Sequence, residues 1–169
     1  MFRQGIRDFP IFKDFSDAQM DGLAQRFELR CYPPKAMIFD QGQAAKFLYI
    51  LASGKVIIRF KPYDGPPLTV ATIEPGGVFG WSAALGRALY TSGALTGETS
   101  EVYRISGMNL NALCTECPDT GAVLIKRLAS MVNVHQQGSI QAESEIVNIL
   151  QSSMDKNGDC SRRIKHNGR

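Results

Sequence analysis

The feature that most constrains the fold is a change in the spacing of apolar residues near Glu28. From there, short β-prone runs with a period of two alternate with glycine and proline turns, which gives roughly seven or eight strands in about eighty residues. The runs are AMIFDQGQ, FLYILASGKVIIRFKP, LTVATIEPGG and SGALTGETSEVYRIS, with a turn at Ser53-Gly54 inside the second. This density of short strands is typical of a sandwich, a barrel or a jelly roll.

Segments whose apolar residues have helical spacing precede and follow the β-prone runs in the sequence. SDAQ is a capping box in which the Ser16 hydroxyl accepts from the Gln19 amide and the Gln19 side chain reaches back, so a helix begins at Ser16. Its apolar face comprises Met20, Leu23, Ala24 and Phe27. After Ser106, GMNLNALCTEC and PDTGAVLIKRLASMVNV return to helical spacing. We therefore predict a mainly β fold with flanking helices: a double-stranded β-helix, or jelly roll, of about eight strands, with an N-terminal helix and a long C-terminal helix.

Charge is unevenly distributed along the 169 residues. The last fourteen residues hold five of the 19 basic groups and one of the 16 acidic groups, so the rest of the chain is nearly neutral. We predict one domain at 10–132, a continuing helix at 133–155 and a basic tail at 156–169. A disordered tail is favoured over one that binds an acidic partner. No broad basic face is present and few residues follow Val132, so DNA binding is not expected.

Several further classes of protein find no support in the sequence. No apolar run approaches the ~20 residues that span a bilayer, and the N-terminus does not resemble a secretory signal, so a cytoplasmic location without a membrane is expected. Cys114 and Cys117 form an isolated C-x-x-C before Pro118, which we interpret as two small buried residues of a helix turn. Neither a metal nor another cofactor is expected, and no nucleophile–base pair suggests an enzyme.

The order of motifs resembles the cyclic-nucleotide-binding domain family from about Pro10 to Val132. The shared features are the capped N-terminal helix, an I-F-x-x-G strand end at Ile38 to Gly42 and an L-Y-I-L-x-S-G-K-V hairpin at Leu48 to Val56. A P-G-x-x-F-G step with one doubled glycine follows at Pro75 to Gly80. The resemblance implies a jelly roll with a phosphate-binding cassette between two of its strands.

The cassette departs from the family pattern at both charged positions. In the family, a glutamate contacts the ribose and an arginine pairs with the cyclic phosphate. Here Trp81 stands at the glutamate position and Tyr90 at the arginine position. The matching positions that complete the predicted ligand site are Phe79, Gly80, Ser82 and Ala83, followed by Thr91 and Ser92. The binding of cyclic AMP or cyclic GMP is therefore doubtful.

Three functions remain open at this point. The first is a non-catalytic regulatory module that senses another small molecule or anion, held by the amide groups at the start of the short helix and by the Thr91 and Ser92 hydroxyls. The second is a protein-interaction module whose pocket is filled by a buried Trp81. The third is a cyclic-nucleotide sensor in which Arg87 supplies the missing cation. A homodimer is expected through the C-terminal helix, whose seam is Leu124, Leu128, Met131 and His135.

Overall fold

The computed structural model describes the backbone of residues 6–135 and the side chains of residues 6–131. The chain divides into two compact units, Met1–Leu124 and Ile125–Arg169. Of the second unit, the structure describes only helical residues up to His135. The continuing helix beyond that point and the basic tail at 156–169 lie outside the described residues and stay predictions.

Eight strands form two antiparallel four-stranded sheets within the described residues. The strands are β1 (Glu28–Tyr32), β2 (Met37–Phe39), β3 (Phe47–Ser53), β4 (Val56–Phe60), β5 (Leu68–Ile73), β6 (Val78–Phe79), β7 (Gly93–Thr96) and β8 (Ser100–Ser106). One sheet has the order β1-β8-β3-β6, and the other has the order β2-β7-β4-β5. The predicted mainly β fold of about eight strands is confirmed.

A short 3-10 helix (Pro10–Phe12) and four α-helices accompany the sheets in this part of the chain: α1 (Asp17–Ala24), α2 (Trp81–Ala84), α3 (Gly107–Glu116) and α4 (Pro118–His135). The capping box of α1 is formed, because the Ser16 hydroxyl accepts from the Gln19 amide at 3.2 Å and the Gln19 side chain accepts from the Ser16 amide at 2.9 Å. Helix α1 ends at Ala24, so Phe27 is buried beyond the helix rather than on its face.

Strand β6, like β1, lies outside the β-prone runs of the sequence analysis, and β6 is the one of the two that bears on the site. It is two residues long, and it pairs with β3 through Tyr49–Phe79 and Ile50–Val78. A run this short cannot show an alternating pattern, and the doubled glycine before it looks like an extended turn. The strand matters for the site because it fixes the start of the predicted cassette against the middle of β3.

Only part of the apolar seam predicted on α4 is exposed to solvent. Leu124 and Leu128 are buried in the single chain, at 1% and 3% exposure, and Met131 is half-buried. The side chain of His135 lies outside the described residues. A dimer through this helix would therefore need side chains other than the two buried leucines.

The remaining expectations concern cysteines, metals and membranes. Cys114 and Cys117 are half-buried near the junction of α3 and α4, and burial raises the pKa of the Cys114 thiol. Residues 6–131 contain no cluster of three or more side chains suited to hold a metal ion. No described helix is both long enough and apolar enough to cross a bilayer.

Candidate functional site

The cassette begins with a close contact between Gly80 and the neighbouring strand. Gly80 follows β6 and has a φ of 79°, in the left-handed region that glycine adopts without strain. A Cβ at this position would lie 2.9 Å from the carbonyl oxygen of Phe47 and 2.9 Å from Cδ2 of Tyr49. The chain's own β3 therefore already requires glycine here, whatever ligand approaches the turn.

Helix α2 is a single turn of four residues. Its residues Ser82 and Ala83 are buried, whereas Trp81 is only half-buried. The helix macrodipole is the sum of aligned peptide dipoles, so a single turn attracts an anion much more weakly than a long helix does. The hypothesis of a self-filled pocket expects a buried Trp81, and the structure does not place the indole in that role.

Two other predicted contacts lie at the surface. Arg87 belongs to the exposed segment 86–89, and its amide donates to the Ser82 carbonyl at 2.9 Å. Thr91 is exposed and Ser92 is half-buried, just before β7 begins. The predicted site residues are thus divided between a buried group, which includes Phe79 and Tyr90, and a surface group.

Tyr90 is the most constrained of the predicted site residues. Its side chain is 5% exposed. The hydroxyl donates to the carbonyl oxygen of Phe47 at 2.7 Å and accepts from the Phe47 amide at 3.0 Å. Burial raises the pKa of Tyr90, so the phenol stays neutral and keeps the proton that it donates. The residue at the family's arginine position is therefore bonded to the backbone of β3.

The rings around Tyr90 fill the space between the two sheets. Tyr90 stacks on Phe39 with ring centroids 3.8 Å apart, and Tyr49 stacks on Phe79 at 5.1 Å. Phe39 also contacts Tyr49 and Phe79, with centroids 5.4 Å and 6.1 Å away. The inward side chains that surround these rings are Leu51, Val56, Ile58, Ile73, Ala94 and Val102. Rings and aliphatic groups thus form one continuous core behind the cassette.

Arg104 is a charged neighbour of this core that the sequence analysis missed. Its guanidinium carbon lies 3.9 Å from the centre of the Phe47 ring, a cation–π contact. Its Nε and Nη2 atoms donate to Oε2 of Glu28 at 3.0 Å and 2.8 Å. These hydrogen bonds are the main reason why the pKa of Glu28 is lowered. The two-residue spacing from buried Val102 places Arg104 on the inner face of β8 and could have indicated this position.

The fold and the position of the cassette agree with a family comparison. The family model of the cyclic nucleotide-binding domain matches residues 29–117, just over half of the 169 residues. The chain therefore belongs to the cyclic nucleotide-binding domain family, and its described part is a regulatory domain of that fold.

The chain is similar to several individual proteins, and it spans less than two thirds of the length of the curated relatives that it matches. It is 29% identical over 127 residues to the cyclic AMP receptor protein of Thermus thermophilus, covering 73% of this chain and 59% of the relative. The crystal structure of a candidate cyclic nucleotide-binding protein from Geobacter metallireducens has a TM-score of 0.68 and 26% identity, covering 78% of this chain and 96% of the other. The regulatory subunit of a cAMP-independent protein kinase A from Trypanosoma brucei shares the fold, with a TM-score of 0.67 and 15% identity over 91% of this chain and 50% of the other.

Proposed function

We propose that this chain is a non-catalytic regulatory domain that does not use cyclic AMP or cyclic GMP as its signal. The observation that carries the proposal is the pair of hydrogen bonds between the Tyr90 hydroxyl and the Phe47 backbone. In the family pattern, this position supplies the guanidinium that pairs with the cyclic phosphate. Here the side chain at this position is a neutral phenol whose hydroxyl is already bonded within the fold.

Two free-energy costs oppose the binding of a cyclic nucleotide to this chain. Loss of a desolvated charge pair typically costs ~2–4 kcal/mol, which is roughly a thirty- to thousandfold loss of affinity. A ligand that displaced the Tyr90 ring would also leave buried groups of Phe47 unpaired, at a further cost of ~1–3 kcal/mol. Both effects act against a cyclic nucleotide in the interior position, and both depend on the same residue.

The fold is compatible with a regulatory domain that does not use a cyclic nucleotide as its signal. It occurs in the kinase regulatory subunit from Trypanosoma brucei that is described as cAMP-independent. A triple mutant of that protein is seen bound to cAMP, and one of its three substitutions introduces an arginine. By analogy, we propose that the present chain works through contacts with a partner protein, with an interior that its own aromatic rings fill.

A second candidate function is a sensor for another small molecule at the outer edge of the cassette. The half-buried Trp81 and the exposed segment 86–89, which includes Arg87, favour it because both are accessible to solvent at the same edge of the cassette. In either case we propose a cytoplasmic homodimer that does not bind DNA, as the sequence analysis predicts. Light scattering would test the dimer, and a DNA-binding assay would test the last point.

Calorimetric titration of the whole chain with cyclic AMP and with cyclic GMP tests the main proposal. We expect no saturable heat and no thermal shift, whereas a ligand at one hundred times its Kd would add ~2.7 kcal/mol of stability. A second arm uses the double substitution Trp81→Glu and Tyr90→Arg, which restores both family charges. Binding by this variant alone would support the proposal, and tight binding of cyclic AMP to the unmodified chain would overturn it.

Trp81 is the sole tryptophan, so its fluorescence separates the two candidate functions. If the chain senses a metabolite at the cassette, addition of that metabolite moves the emission maximum or alters quenching by acrylamide. If the domain acts only through a protein partner, a panel of anionic and aromatic metabolites leaves the emission unchanged.

A further inference from the structure

A groove of about 440 Å³ lies on the outer face of the β2-β7-β4-β5 sheet. Ala94 is buried in the inner core, so its neighbour Leu95 points to the opposite face of β7. Leu95 pairs with Met37 on β2, and both line the groove with Gly93. The sheet therefore separates this groove from the aromatic core and from Tyr90. Its volume lies within the ~300–1,000 Å³ typical of sites for small molecules.

One wall of the groove is held in place by the side chain of Gln41. Its Oε1 atom accepts from the amide of Lys61 at 2.8 Å, and its Nε2 atom donates to the carbonyl oxygen of Lys61 at 3.1 Å. The amide of Gln41 donates to Oδ1 of Asp40 at 2.8 Å. This pairing fixes the residue after β4 to the turn after β2, so the wall exists before any ligand binds.

The charges along the groove favour an anion. Arg59 and Lys61 line it, and both are exposed. The ion pairs seen within residues 6–131 include those of Arg7, Arg26, Arg30 and Arg104, whereas Arg59 and Lys61 take part in none with another described residue. One carboxylate, that of Asp40, also lines the groove, and one of its oxygens already accepts from the Gln41 amide. Two cations thus face one partly engaged carboxylate.

The rest of the lining favours an apolar body on the ligand. Met37 is 53% exposed although it lies on a strand, and the ring of Tyr63 is fully exposed beside the groove. We propose that this groove binds small amphipathic anions, in which an aromatic or aliphatic body carries one carboxylate, sulfonate or phosphate head. Arg59 and Lys61 contact the head, and Met37, Leu95 and Tyr63 contact the body. This site does not depend on the proposed function of the cassette.

A matched pair of fluorescent probes tests the charge requirement. The probe 8-anilinonaphthalene-1-sulfonate is an aromatic anion, and N-phenyl-1-naphthylamine is a similar aromatic molecule without the sulfonate. We expect the anionic probe to bind the whole chain at one saturable site. The double substitution Arg59→Gln and Lys61→Gln should weaken it about five- to tenfold, because two surface charge contacts are lost. The neutral probe should bind equally to both proteins.

The control variant is Arg30→Gln, which removes an exposed strand arginine from the other sheet. It should leave the affinity for the anionic probe unchanged. Amide chemical shifts from two-dimensional NMR then locate the probe, and we expect the largest changes at Met37, Gly93 and Leu95. Equal affinity of the double variant, an equal loss for the neutral probe, or shifts confined to Trp81–Ser92 would each overturn the proposal. Circular dichroism confirms that each variant is folded, and Lys61→Gln alone replaces the double variant if it is not.

Discussion

The ring of Tyr90 lies nearly parallel to the ring of Phe39, with centroids 3.8 Å apart and 16° between the planes. Phe39 ends β2, and Tyr90 precedes β7, the strand that pairs with β2. Stacked aromatic pairs contribute ~0.5–1.5 kcal/mol beyond the burial of their area. The position at which the family places a ligand-binding arginine therefore holds, in this chain, a residue that stabilises the contact between two strands.

The hydroxyl of Tyr90 should contribute to stability separately from its ring. Tyr90→Phe keeps the stacking on Phe39 but removes the partner of the Phe47 amide and carbonyl. We expect the free energy of unfolding to fall by ~1–3 kcal/mol, because polar groups are left unpaired in a buried site. Urea denaturation followed by circular dichroism measures the change. Tyr63→Phe is the control, since Tyr63 is fully exposed and should show almost no effect. Equal stability of Tyr90→Phe and the parent chain would contradict the role assigned to the hydroxyl.

Two glycines of the cassette should differ in their tolerance of a side chain. Gly80 and Gly86 both have a positive φ, 79° and 68°, so alanine at either position costs ~1–2 kcal/mol in backbone strain. At Gly86 a Cβ would meet nothing within 4 Å, whereas at Gly80 it would lie 2.9 Å from the Phe47 carbonyl oxygen. We expect Gly80→Ala to destabilise the fold by a further ~1–3 kcal/mol, because the contact is overpacked.

Thermal unfolding of the two alanine variants under the same conditions measures this difference. If Gly80→Ala and Gly86→Ala lowered the melting temperature equally, backbone conformation alone would explain the glycine at position 80, and the contact with β3 would be irrelevant to it.

The sequence predicted much of the framework because its signals are local. The capping box at Ser16 and the turn at Gly54 depend on residues a few positions apart, and both are present in the structure. The matching family positions likewise placed a short helix after Gly80, where α2 begins. Local spacing was sufficient in these cases because the backbone conformation follows from near neighbours.

The interior of the site was not predictable in the same way. Tyr90 finds its hydrogen-bond partner in Phe47, 43 positions earlier in the chain. Arg104 finds Glu28 across the β1–β8 pairing, 76 positions away. Local sequence patterns do not predict contacts between residues so far apart in the chain. The sequence therefore indicated that two charges were missing from the cassette, but not that Tyr90 would form hydrogen bonds with β3. The half-buried Trp81 has the same explanation, because its exposure depends on elements that are distant in sequence.

The ion pair between Glu28 and Arg104 should make stability depend on pH in the acid range. The pKa of Glu28 is lowered in the folded chain, first by its hydrogen bonds with Arg104 and to a lesser extent by Arg30. A carboxyl whose folded pKa is depressed stabilises the fold above its ordinary pKa, and this stabilisation is lost as the pH falls through the folded value. The difference in unfolding free energy between the parent chain and Glu28→Gln should therefore be constant near neutral pH and shrink as the pH falls below the ordinary pKa of glutamate, about 4.3.

An NMR titration of the Glu28 carboxyl tests the cause. Arg104→Met should raise the pKa of Glu28 toward its ordinary value, and Arg30→Met should raise it less, because Arg104 provides the largest contribution. If the two methionine variants shifted the titration equally, the hydrogen bonds from Arg104 would not be the dominant cause.

Replacement of Gly121 in α4 by alanine should destabilise the fold, although alanine in place of glycine usually stabilises a helix. Alanine is favoured over glycine by ~0.8–1.0 kcal/mol in helix interiors. Gly22 in α1 should follow this rule, since its Cβ would meet only a side-chain nitrogen of Arg26, at 3.9 Å. At Gly121 the Cβ would lie 2.7 Å from the Cα of Cys114, a backbone atom of α3 that cannot move without moving its helix.

We therefore expect Gly22→Ala to raise the free energy of unfolding by about 0.5–1 kcal/mol and Gly121→Ala to lower it by ~1–3 kcal/mol, because the helix preference acts at both sites and the collision at only one. Urea denaturation of the two variants beside the parent chain gives both signs in one experiment. Stabilisation by Gly121→Ala would mean that α3 and α4 can separate at little cost, and the close packing of Gly121 against Cys114 would then not be what holds this helix junction together.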